Sequence, residues 1–496
     1  IDGITGEEDT YGSLLRRCVR TAITMQLKGI TPDDIIILCT HNHLDTFVPY
    51  FAALFIGAKV SALDPSLSVK DTVHLLKQVT PKMIFATPES VPLMEESSQE
   101  VSGDIEIVVF GKTDKHTNFS EFLLPKPEED QFKPTEPKSL FDTALIFFSS
   151  GTTGLPKGIC INHYTLLGQV LNFINFGFTL DRTLLWSSIY WTTSIFCLGA
   201  LYLTGATRIL LPRFNLQHVY NAIEKCKPTL IASATSQFYE ISRDLPSNVD
   251  ISSVKQIIIG GTSLIEKQVL KMRETFSNAD IYNCYGQTEL ALFITIFRPC
   301  NKEENALMLK KPTSCGWGIP GISYKVVDPE TEEILGANQP GELRLKTKYV
   351  LNGYYKQDSS HIWDDDGWYK TGDIVYYDDD LCFYVVDRIK EMLKYRAWHV
   401  PPAVIEACLL SHPAIANAVV IGIPHELDGD HPMAIIVLKD SYKNISTEEI
   451  HKYVEERLDD NKKLRGGIKI VEFIPTNGTG KIQRRNIKNM VLRGEL

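Results

Sequence analysis

Residues 149–158 read Ser-Ser-Gly-Thr-Thr-Gly-Leu-Pro-Lys-Gly and directly follow an apolar run. Hydroxyls and glycine amides in such a loop can converge on phosphate oxygens without obstruction by side chains, and Lys157 adds positive charge. No Gly-Lys-Ser/Thr triplet leads into a helix, so the segment is not a Walker A loop. We predict that it is a phosphate-binding loop rather than a flexible linker. The residues expected to bind are Ser149, Ser150, Gly151, Thr152, Thr153, Gly154 and Lys157.

Further short motifs with chemically useful side chains follow in order along the chain. They are Gly260-Gly261-Thr262-Ser263-Leu264, Tyr285-Gly286-Gln287-Thr288-Glu289, Thr371-Gly372-Asp373, Asp387-Arg388-Ile389-Lys390 and Asn477-Gly478-Thr479-Gly480-Lys481. Taken alone, Tyr285 would be interpreted as a core residue and Asp373 as a turn residue. Lys481 alone would be interpreted as a solvated surface lysine. The ordered set is far more specific than any one member.

This set resembles the motifs of the adenylate-forming superfamily, which includes acyl-CoA synthetases, 4-coumarate–CoA ligase and beetle luciferases. The resemblance covers essentially the whole chain. It implies a reaction in which a carboxylate attacks the α-phosphate of ATP and pyrophosphate leaves. Because two anions must meet, catalysis of this step is mostly positioning and charge neutralisation.

The resemblance also implies roles for the motif at residues 285–289. Tyr285 is expected to stack against adenine, with Gly286 beside it in the nucleotide site, and Thr288 to hydrogen-bond phosphate. Glu289 is expected to be catalytic through Mg²⁺, a hard cation that prefers oxygen ligands.

The later motifs are expected to complete the nucleotide site and to include the hinge of a mobile domain. By resemblance, Asp373 accepts hydrogen bonds from both ribose hydroxyls, and Arg388 reaches the ribose or a phosphate. Lys481 approaches the carboxylate and the α-phosphate, where charge develops during attack. Lys390 is the expected hinge about which a small domain swings after adenylation. Lys394 matches a lysine that serves the second half-reaction in luciferase-like relatives.

The expected acid pocket departs from that of beetle luciferases. Those enzymes carry a His-His-Gly-Phe-Gly segment, whereas residues 190–194 here read Tyr-Trp-Thr-Thr-Ser without a histidine. Trp191 is either a gate to an acyl tunnel or a packing residue. The residues expected to line the pocket are Tyr190, Trp191, Gly260, Gly261 and Thr262. Apolar stretches around residues 195–203 favour an aromatic or fatty acid over acetate.

A second departure concerns coenzyme A, the expected second substrate. Relatives usually have a Gly in the segment beyond the hinge that approaches the pantetheine arm, where this chain reads Arg396-Ala397-Trp398. Because only Gly permits the closest backbone approach, this change weakens the prediction of thioester formation but not of adenylation. The alternative is a luciferase that oxidises a different adenylated luciferin with O₂. A third interpretation, a non-catalytic nucleotide-binding paralogue, is disfavoured because Lys157, Glu289, Asp373 and Lys481 are all present. The ligase is the favoured interpretation.

Apolar periodicity predicts the elements that position these residues. Helical and extended patterns alternate over about the first 390 residues, which indicates crossover units and mostly parallel, helix-covered sheets. About a hundred residues after the motif at 387–390 read as a small α+β domain. We therefore predict an α/β protein with a large N-terminal domain over 1–387 and a small mobile C-terminal domain over 388–496, hinged at about 387–390.

Composition limits the remaining function classes. The chain has 496 residues, 44% of them hydrophobic and 23% charged, which is ordinary for a globular protein. A formal net charge of −10 argues against a broad nucleic-acid surface, so the expected partner is a small-molecule carboxylic acid. The uncharged stretch 183–207 is interpreted as a buried helix beside an apolar pocket rather than a transmembrane segment.

Cysteine usage and the chain ends bear on location. Ten cysteines without Cys-x-x-Cys spacing indicate free thiols in a reducing compartment, which predicts an intracellular protein of the cytoplasm or peroxisome. The chain begins at Ile1 rather than Met, and we expect its native N-terminus to be missing.

Overall fold

The computed structural model describes residues 1–148, 156–262, 264–396, 398–443, 445–476 and 482–496. Within these residues the first sheet has seven strands in the order β5-β4-β3-β1-β2-β6-β7. All of its neighbouring strands are parallel except β6 and β7. The strands are β1 (Ile35–Cys39), β2 (Lys59–Leu63), β3 (Met83–Ala86), β4 (Glu106–Val109), β5 (Thr117–Asn118), β6 (Thr143–Phe148) and β7 (Gly158–Asn162).

A second sheet, also of seven strands in the described part of the chain, has the order β14-β13-β12-β11-β10-β8-β9. Strands β8 to β12 are parallel, whereas β13 and β14 run antiparallel at one edge. The strands are β8 (Arg182–Leu185), β9 (Thr207–Leu210), β10 (Leu230–Ala234), β11 (Gln256–Gly260), β12 (Asp280–Gly286), β13 (Phe293–Ile296) and β14 (Trp317–Gly318). The carboxyl ends of β10, β11 and β12 therefore meet at one edge.

An antiparallel sheet follows, joined strand to strand in sequence order. It consists of β15 (Ile322–Val327), β16 (Gly341–Thr347), β17 (Tyr369–Tyr377) and β18 (Phe383–Arg388). Pairing of β17 with β18 places Asp373 directly opposite Arg388. Two sequence motifs that lie apart along the chain are thus neighbours in this sheet.

The C-terminal part has its own sheet, in which β19 pairs with β20 and β22, and β22 pairs with β21 and β23. Its strands are β19 (Leu393–Tyr395), β20 (Trp398–Val400), β21 (Ile415–His425), β22 (Gly429–Leu438) and β23 (Gly467–Ile470). The two apolar clusters of this part contain only residues from 393 onward among those described. The boundary at 387–390 stays a prediction, and this separation of cores agrees with it.

Helices cover the faces of the sheets. They are α1 (Tyr11–Leu27), α2 (Phe47–Phe55), α3 (Val69–Val79), α4 (Val91–Ser98), α5 (Phe119–Phe122), α6 (His163–Asn175), α7 (Thr192–Thr204), α8 (Leu216–Cys226), α9 (Thr235–Arg243), α10 (Glu266–Thr275), α11 (Lys302–Lys310), α12 (Pro402–Ser411), α13 (Thr447–Glu455) and α14 (Arg484–Leu492). The predicted α/β class, with helix-covered and mostly parallel sheets in the larger part and a smaller α+β part, is confirmed.

The uncharged stretch 183–207 is more varied than predicted. Its first residues belong to strand β8, and the helix α7 begins only at Thr192. Most of α7 is buried, as expected, because almost every side of it is apolar and packs in the core. Among the described residues no helix is both long and apolar enough to span a membrane. All ten cysteines lie in described segments, and all are free thiols.

Candidate active site

A cavity of about 1430 Å³ lies at the carboxyl ends of β10, β11 and β12, between the second sheet, the antiparallel sheet and the C-terminal part. Parallel sheets commonly bind ligands at this edge, because loops there are free to carry polar groups. The predicted residues and motif residues on its wall are Lys157, Trp191, Gly260, Gly261, Thr262, Gly286, Gln287, Thr288, Glu289, Thr371, Gly372, Arg388, Ile389 and Lys390, whereas Tyr285 and Asp373 do not line it.

Gly286 occupies a turn that has no room for a side chain. A Cβ atom at this position would lie 1.7 Å from the carbonyl oxygen of Leu292. The chain leaves β12 here and turns sharply, which brings Thr288 and Glu289 to the cavity wall. The glycine of this motif is thus required by close backbone approach.

Tyr285 and Asp373 are hydrogen-bonded to each other. The Tyr285 hydroxyl donates to Oδ2 of Asp373 at 2.6 Å, and Nε2 of Gln287 donates to the same oxygen at 2.6 Å. Gln287 also donates to the carbonyl of Thr371 at 2.9 Å and accepts from the Tyr369 hydroxyl at 3.0 Å. Burial and the nearby Asp373 raise the pKa of Tyr285, so it remains a neutral donor.

Asp373 is 3% exposed and is held by its own turn. The Thr371 hydroxyl accepts from the amide of Asp373 at 3.1 Å and donates to the carbonyl of Leu343 at 2.7 Å. Nε of Arg388 lies 3.2 Å from Oδ1 of Asp373. Burial alone would lower the pKa of Arg388, but Asp373 and other nearby acids raise it, so the guanidinium stays charged.

Glu289 supplies a partly buried carboxyl group on the cavity wall. Burial raises its pKa, and the Tyr354 hydroxyl is hydrogen-bonded to it. A partly buried carboxylate on the wall of this cavity fits a hard divalent cation, whose charge would offset the cost of desolvating the anion. Nζ of Lys157 lies 4.7 Å from the centre of the Tyr354 ring, so Tyr354 contacts both the lysine and the glutamate.

Another part of the cavity wall is formed by Trp191 and the end of β11. Trp191 and residues Gly260, Gly261 and Thr262 line the cavity, whereas Tyr190 does not. Tyr190 is buried with the core behind the first sheet, and its ring makes an edge contact with Trp191 at 5.0 Å between ring centres. The structure therefore separates two neighbours that the sequence placed together in the pocket.

Polar residues also line this wall, and the sequence did not single them out. Gln237 accepts a 2.9 Å hydrogen bond from the indole nitrogen of Trp186. The hydroxyl of Ser236 is buried without a hydrogen-bond partner among the described residues, and Ser236 lines the cavity. Both residues follow the end of β10, so their position after a buried strand was the available signal.

The C-terminal part closes the cavity with residues 472–476. Glu472, Phe473, Ile474 and Thr476 lie on its wall, and Thr476 forms an isolated β-bridge with Ile482. Lys390 is exposed and lies on the same wall. Lys394 is exposed on β19 and does not line the cavity. The arrangement brings Lys390, but not Lys394, to the other motif residues.

Several predicted residues lie outside the described part of the chain. They are Ser149, Ser150, Gly151, Thr152, Thr153 and Gly154 of the phosphate loop, Ala397, and Lys481. Their expected roles stay predictions. The residues on either side are described: β6 ends at Phe148, and the carbonyl of Pro156 accepts a 2.7 Å hydrogen bond from Gln78.

An ion-pair network beside the predicted hinge was also missed by sequence reasoning. Nε of Arg484 contacts Glu391 at 2.8 Å, and its Nη1 contacts Glu406 and donates to the carbonyl of Val420 at 2.6 Å. Arg484 lies three positions after Lys481 and begins α14. A charged residue so close to a motif was the only signal that the sequence offered.

Comparison with known proteins agrees with this geometry. The family model described as "AMP-binding enzyme" matches residues 4–355, and the one described as "AMP-binding enzyme C-terminal domain" matches residues 404–481. The luciferin 4-monooxygenase of Nipponoluciola cruciata is 28% identical over 99% of this chain and 90% of its own length. The 4-coumarate–CoA ligase-like protein 9 of Arabidopsis thaliana is 29% identical over 100% of this chain and 87% of its own length.

A solved structure is similar at a higher level of identity. It is that of the luciferase-like enzyme from the nonluminescent mealworm Zophobas morio, with 41% identity and a TM-score of 0.76. The similarity covers 79% of this chain and 92% of that one.

Proposed function

The chain belongs to the family of AMP-binding enzymes, and from this premise we propose that it activates a fatty or aromatic carboxylic acid with ATP and then forms a coenzyme A thioester. In the first step a carboxylate oxygen bonds to the α-phosphorus as the bond to pyrophosphate breaks, which leaves an acyl-adenylate. The observation that carries the proposal is that Arg388 and Glu289 line one cavity together with Trp191 and residues 260–262, while Asp373 contacts Arg388 at 3.2 Å.

Asp373 and Arg388 would hold the ribose. Asp373 is buried, forms an ion pair with Arg388 and already accepts hydrogen bonds, so its oxygens are preorganised as acceptors for hydroxyl groups. Tyr285 would pack against the base, Thr288 would donate to a phosphate, and Lys157 would add positive charge beside the loop 149–154. The backbone amides at Gly286 would stay accessible because no side chain covers them.

Glu289 would hold Mg²⁺, since a carboxylate oxygen is the type of ligand that this cation prefers. When bound, the ion would neutralise charge on the phosphates and so favour attack by a second anion. Glu289, held by Tyr354, would keep its carboxylate directed toward the triphosphate.

The acid would lie against Trp191 and the end of β11. Apolar residues on this wall, including Cys197, Ile258 and Phe293, favour a fatty chain or an aromatic ring. The buried hydroxyl of Ser236 would pair with a polar substituent on that acid, because an unpaired buried hydroxyl is costly.

The second half-reaction would require the C-terminal part, residues 388–496, to rotate at 387–390 about Lys390. Lys481 would serve adenylation from residues that follow the cavity wall at 472–476. Lys394, now exposed and away from the cavity, would face it after rotation, where the thiolate of coenzyme A would attack the acyl carbonyl and release AMP. Cytoplasm or peroxisome would be the site of this chemistry.

The alternative is a luciferase-type reaction. Its support is the similarity of this chain to luciferin 4-monooxygenases. The adenylate would then lose an α-proton and react with O₂ instead of coenzyme A. The absence of histidine from residues 190–194, of which Trp191, Thr192 and Thr193 line the cavity, and the Arg396-Ala397-Trp398 segment are compatible with that outcome. The third possibility, nucleotide binding without chemistry, predicts no reaction at all.

The deciding experiment incubates the purified chain with ATP, Mg²⁺ and pooled carboxylic acids, with and without coenzyme A. AMP, acyl-CoA and emitted light are all recorded. Acid-dependent AMP together with acyl-CoA supports the proposal. If light and AMP are produced without a thioester, the ligase proposal is wrong and the luciferase-type reaction takes its place. If the chain binds ATP but catalyses no ATP:pyrophosphate exchange, both reactions are excluded and nucleotide binding is the function that remains.

Variants make the same assay specific to the proposed residues. Lys481→Ala should lose most adenylation while it still binds ATP, whereas Lys394→Ala should lose mainly thioester formation. Lys452→Ala, at an exposed lysine of α13, is the matched control and should change neither step. Trp191→Ala should raise kcat/KM for bulkier acids relative to smaller ones by roughly 10–100-fold. The reason is that the change enlarges an apolar pocket by the volume of a few carbon groups.

A further inference from the structure

The hairpin formed by β21 and β22 brings two histidines and an aspartate together at its turn. His425 ends β21, Asp428 lies in the turn, and His431 is the third residue of β22. Oδ2 of Asp428 lies 2.9 Å from Nε2 of His431 and 3.7 Å from Nδ1 of His425. One possible ligand atom from each residue lies within 4.8 Å of the other two. This cluster plays no part in the adenylation site described above.

The carboxylate of Asp428 is oriented from its other side. Its Oδ1 accepts a 2.8 Å hydrogen bond from Nε of Arg396, and its backbone carbonyl accepts the Arg396 amide at 2.7 Å. Oδ1 thus binds the guanidinium, while Oδ2 faces both imidazoles. Partners of this kind fix ligand orientation at metal sites and leave the other oxygen for the ion.

The turn itself is fixed by a glycine. Gly429 has φ +83°, and a Cβ atom there would lie 2.3 Å from the carbonyl oxygen of Lys394. The hairpin therefore packs directly on β19, and the positions of Asp428 and His431 are set by two strands rather than by a free loop. The two imidazole rings are nearly parallel, with centres 4.0 Å apart.

We propose that His425, Asp428 and His431 bind a divalent transition-metal ion such as Zn²⁺. Two imidazoles and one carboxylate suit Zn²⁺ and its neighbours, whereas Mg²⁺ prefers a set of oxygens. The side chains of Asp428 and His431 are 17% exposed and that of His425 is 42% exposed, so an ion can enter from solvent at the His425 side. Three protein ligands leave one position of a tetrahedral ion for a solvent molecule.

Binding would exchange contacts that the side chains now make. The ion would replace the hydrogen bond between His431 and Asp428, and Nδ1 of His425 would give up the Asp428 amide that it accepts at 3.2 Å. The amide is in an exposed turn, where water can replace the lost partner. Arg396 would keep its hydrogen bond to Oδ1 and so hold the carboxylate in its orientation.

Isothermal titration of the untagged, chelator-treated full chain with ZnCl₂ tests this site. The parent should bind one equivalent that is absent from the double variant His425→Gln/His431→Gln. His451→Gln, in helix α13 of the same part of the chain, is the matched control and should keep that equivalent. An excess of Mg²⁺ should not compete.

Two further readouts distinguish metal binding from a purely structural hydrogen-bond cluster. Co²⁺ should give visible absorption bands of a low-symmetry site in the parent and in His451→Gln but not in the double variant. ZnCl₂ should raise the thermal midpoint of the parent and of His451→Gln but not that of the double variant, since a ligand that binds the folded state stabilises it. Arg396→Gln should weaken Zn²⁺ binding roughly tenfold while keeping the stoichiometry.

The proposal fails if the parent binds no Zn²⁺, or if the double variant binds the same equivalent with the same affinity. Circular dichroism of the metal-free variants excludes a trivial loss through misfolding. None of these measurements uses the enzymatic reaction, so their outcome is independent of whether the proposed ligase activity exists.

Discussion

The hydroxyl of Tyr285 donates a 2.6 Å hydrogen bond to Oδ2 of Asp373, which lies 88 positions further along the chain. The bond joins the end of a parallel strand in one sheet to the middle of an antiparallel strand in another. Gln287 donates to the same oxygen and Arg388 faces the other one. A ribose that binds Asp373 must therefore share or displace protein donors, so Tyr285 and Gln287 tune how strongly the carboxylate accepts.

The variant Asp373→Asn should weaken nucleotide use more than acid use. It removes the charge that pairs with Arg388 and replaces one acceptor oxygen by a donor. Hydrogen bonds to a charged group contribute about 1.5–3 kcal/mol. We expect the KM for ATP in the ATP:pyrophosphate exchange assay to rise roughly 10–100-fold, with a much smaller change in the KM for the acid.

Tyr285→Phe is the companion variant, because it keeps the ring and removes only the hydroxyl. If Tyr285 contributes mainly by packing on the base, this change should raise the KM for ATP only slightly. The rise should be several-fold smaller than the rise caused by Asp373→Asn. A larger loss in Tyr285→Phe than in Asp373→Asn would show that the hydroxyl, not the aspartate, is the main nucleotide contact.

Glu289→Gln should impair the use of Mg²⁺. Glutamine has the same size and can still bind the Tyr354 hydroxyl, but it lacks the negative charge that a divalent cation needs. We expect adenylation to fall about 100-fold or more at a fixed Mg²⁺ concentration, since metal charge stabilisation contributes several kcal/mol. A titration of MgCl₂ in the exchange assay measures this, and its midpoint should move to higher concentration.

The exposed glutamate Glu303 provides the control for charge alone. Glu303→Gln in helix α11 also removes one negative charge but lies away from the cavity wall. It should leave the MgCl₂ midpoint unchanged. Equal midpoints for parent and Glu289→Gln would contradict the assignment of Glu289 to the cation.

The sequence predicted those parts of the molecule that depend on local pattern. Alternating helical and extended patterns predicted the helix-covered, mostly parallel sheets, and the ordered motifs predicted one site for Gly286, Thr288 and Arg388, which all line the cavity. Tyr190 was placed in the pocket with Trp191, although it packs behind it, because a one-dimensional pattern does not show on which side of the chain each ring lies.

Contacts between distant segments were beyond such reasoning. Gln287 became important only through Asp373, and Arg484 only through Glu391 and Glu406. Each of these side chains is an ordinary polar residue until the fold supplies its partner. The strand pairing of β17 with β18, which sets Asp373 opposite Arg388, is likewise a property of the sheet and not of either motif.

Arg484→Met should destabilise the C-terminal part. The change leaves Glu391 and Glu406 without their shared cation. The loss is costly because the two side chains are only 23% and 15% exposed, so water cannot fully replace the arginine. Breaking such a pair from one side costs about 3 kcal/mol. Urea denaturation followed by circular dichroism should show a lower midpoint, and ATP:pyrophosphate exchange should fall because α14 follows the segment that contains Lys481.

Arg485→Met is the matched control, at an exposed arginine one position along the same helix. It should change neither stability nor exchange. Arg484→Lys retains the charge but not the two-pronged geometry, so its stability should lie between those of the parent and Arg484→Met. Equal stability of Arg484→Met and the parent would mean that the network contributes nothing.

Asp387 predicts a pH dependence of stability at the proposed hinge. Its carboxylate is 8% exposed and accepts the amides of Arg388 at 2.8 Å and Ala403 at 3.1 Å, the latter in the first turn of α12. Burial raises the pKa of Asp387 from 3.8 to about 6, while the charge of Arg484 opposes the rise. The folded protein therefore binds a proton that the unfolded chain releases between these values.

The sign of the effect follows from that difference. The stabilisation from the retained proton is fully present below about pH 4 and is lost as the pH rises through about 6. Relative to Asp387→Asn, which never ionises, the parent should lose roughly 3 kcal/mol of unfolding free energy between those limits, at about 1.4 kcal/mol per pKa unit. Urea denaturation of both proteins at a series of pH values measures the difference.

The difference should level off above about pH 7, where Asp387 is ionised in both the folded and the unfolded parent. Asp365→Asn, at an exposed aspartate, should show no such trend against the parent. A pH-independent gap between parent and Asp387→Asn would mean that the carboxylate ionises in the folded protein as it does in the unfolded chain. Ionisation of Asp387 would then not lower the free energy of unfolding. The contribution of Asp387 to joining β18 to α12 would be limited to its two backbone hydrogen bonds.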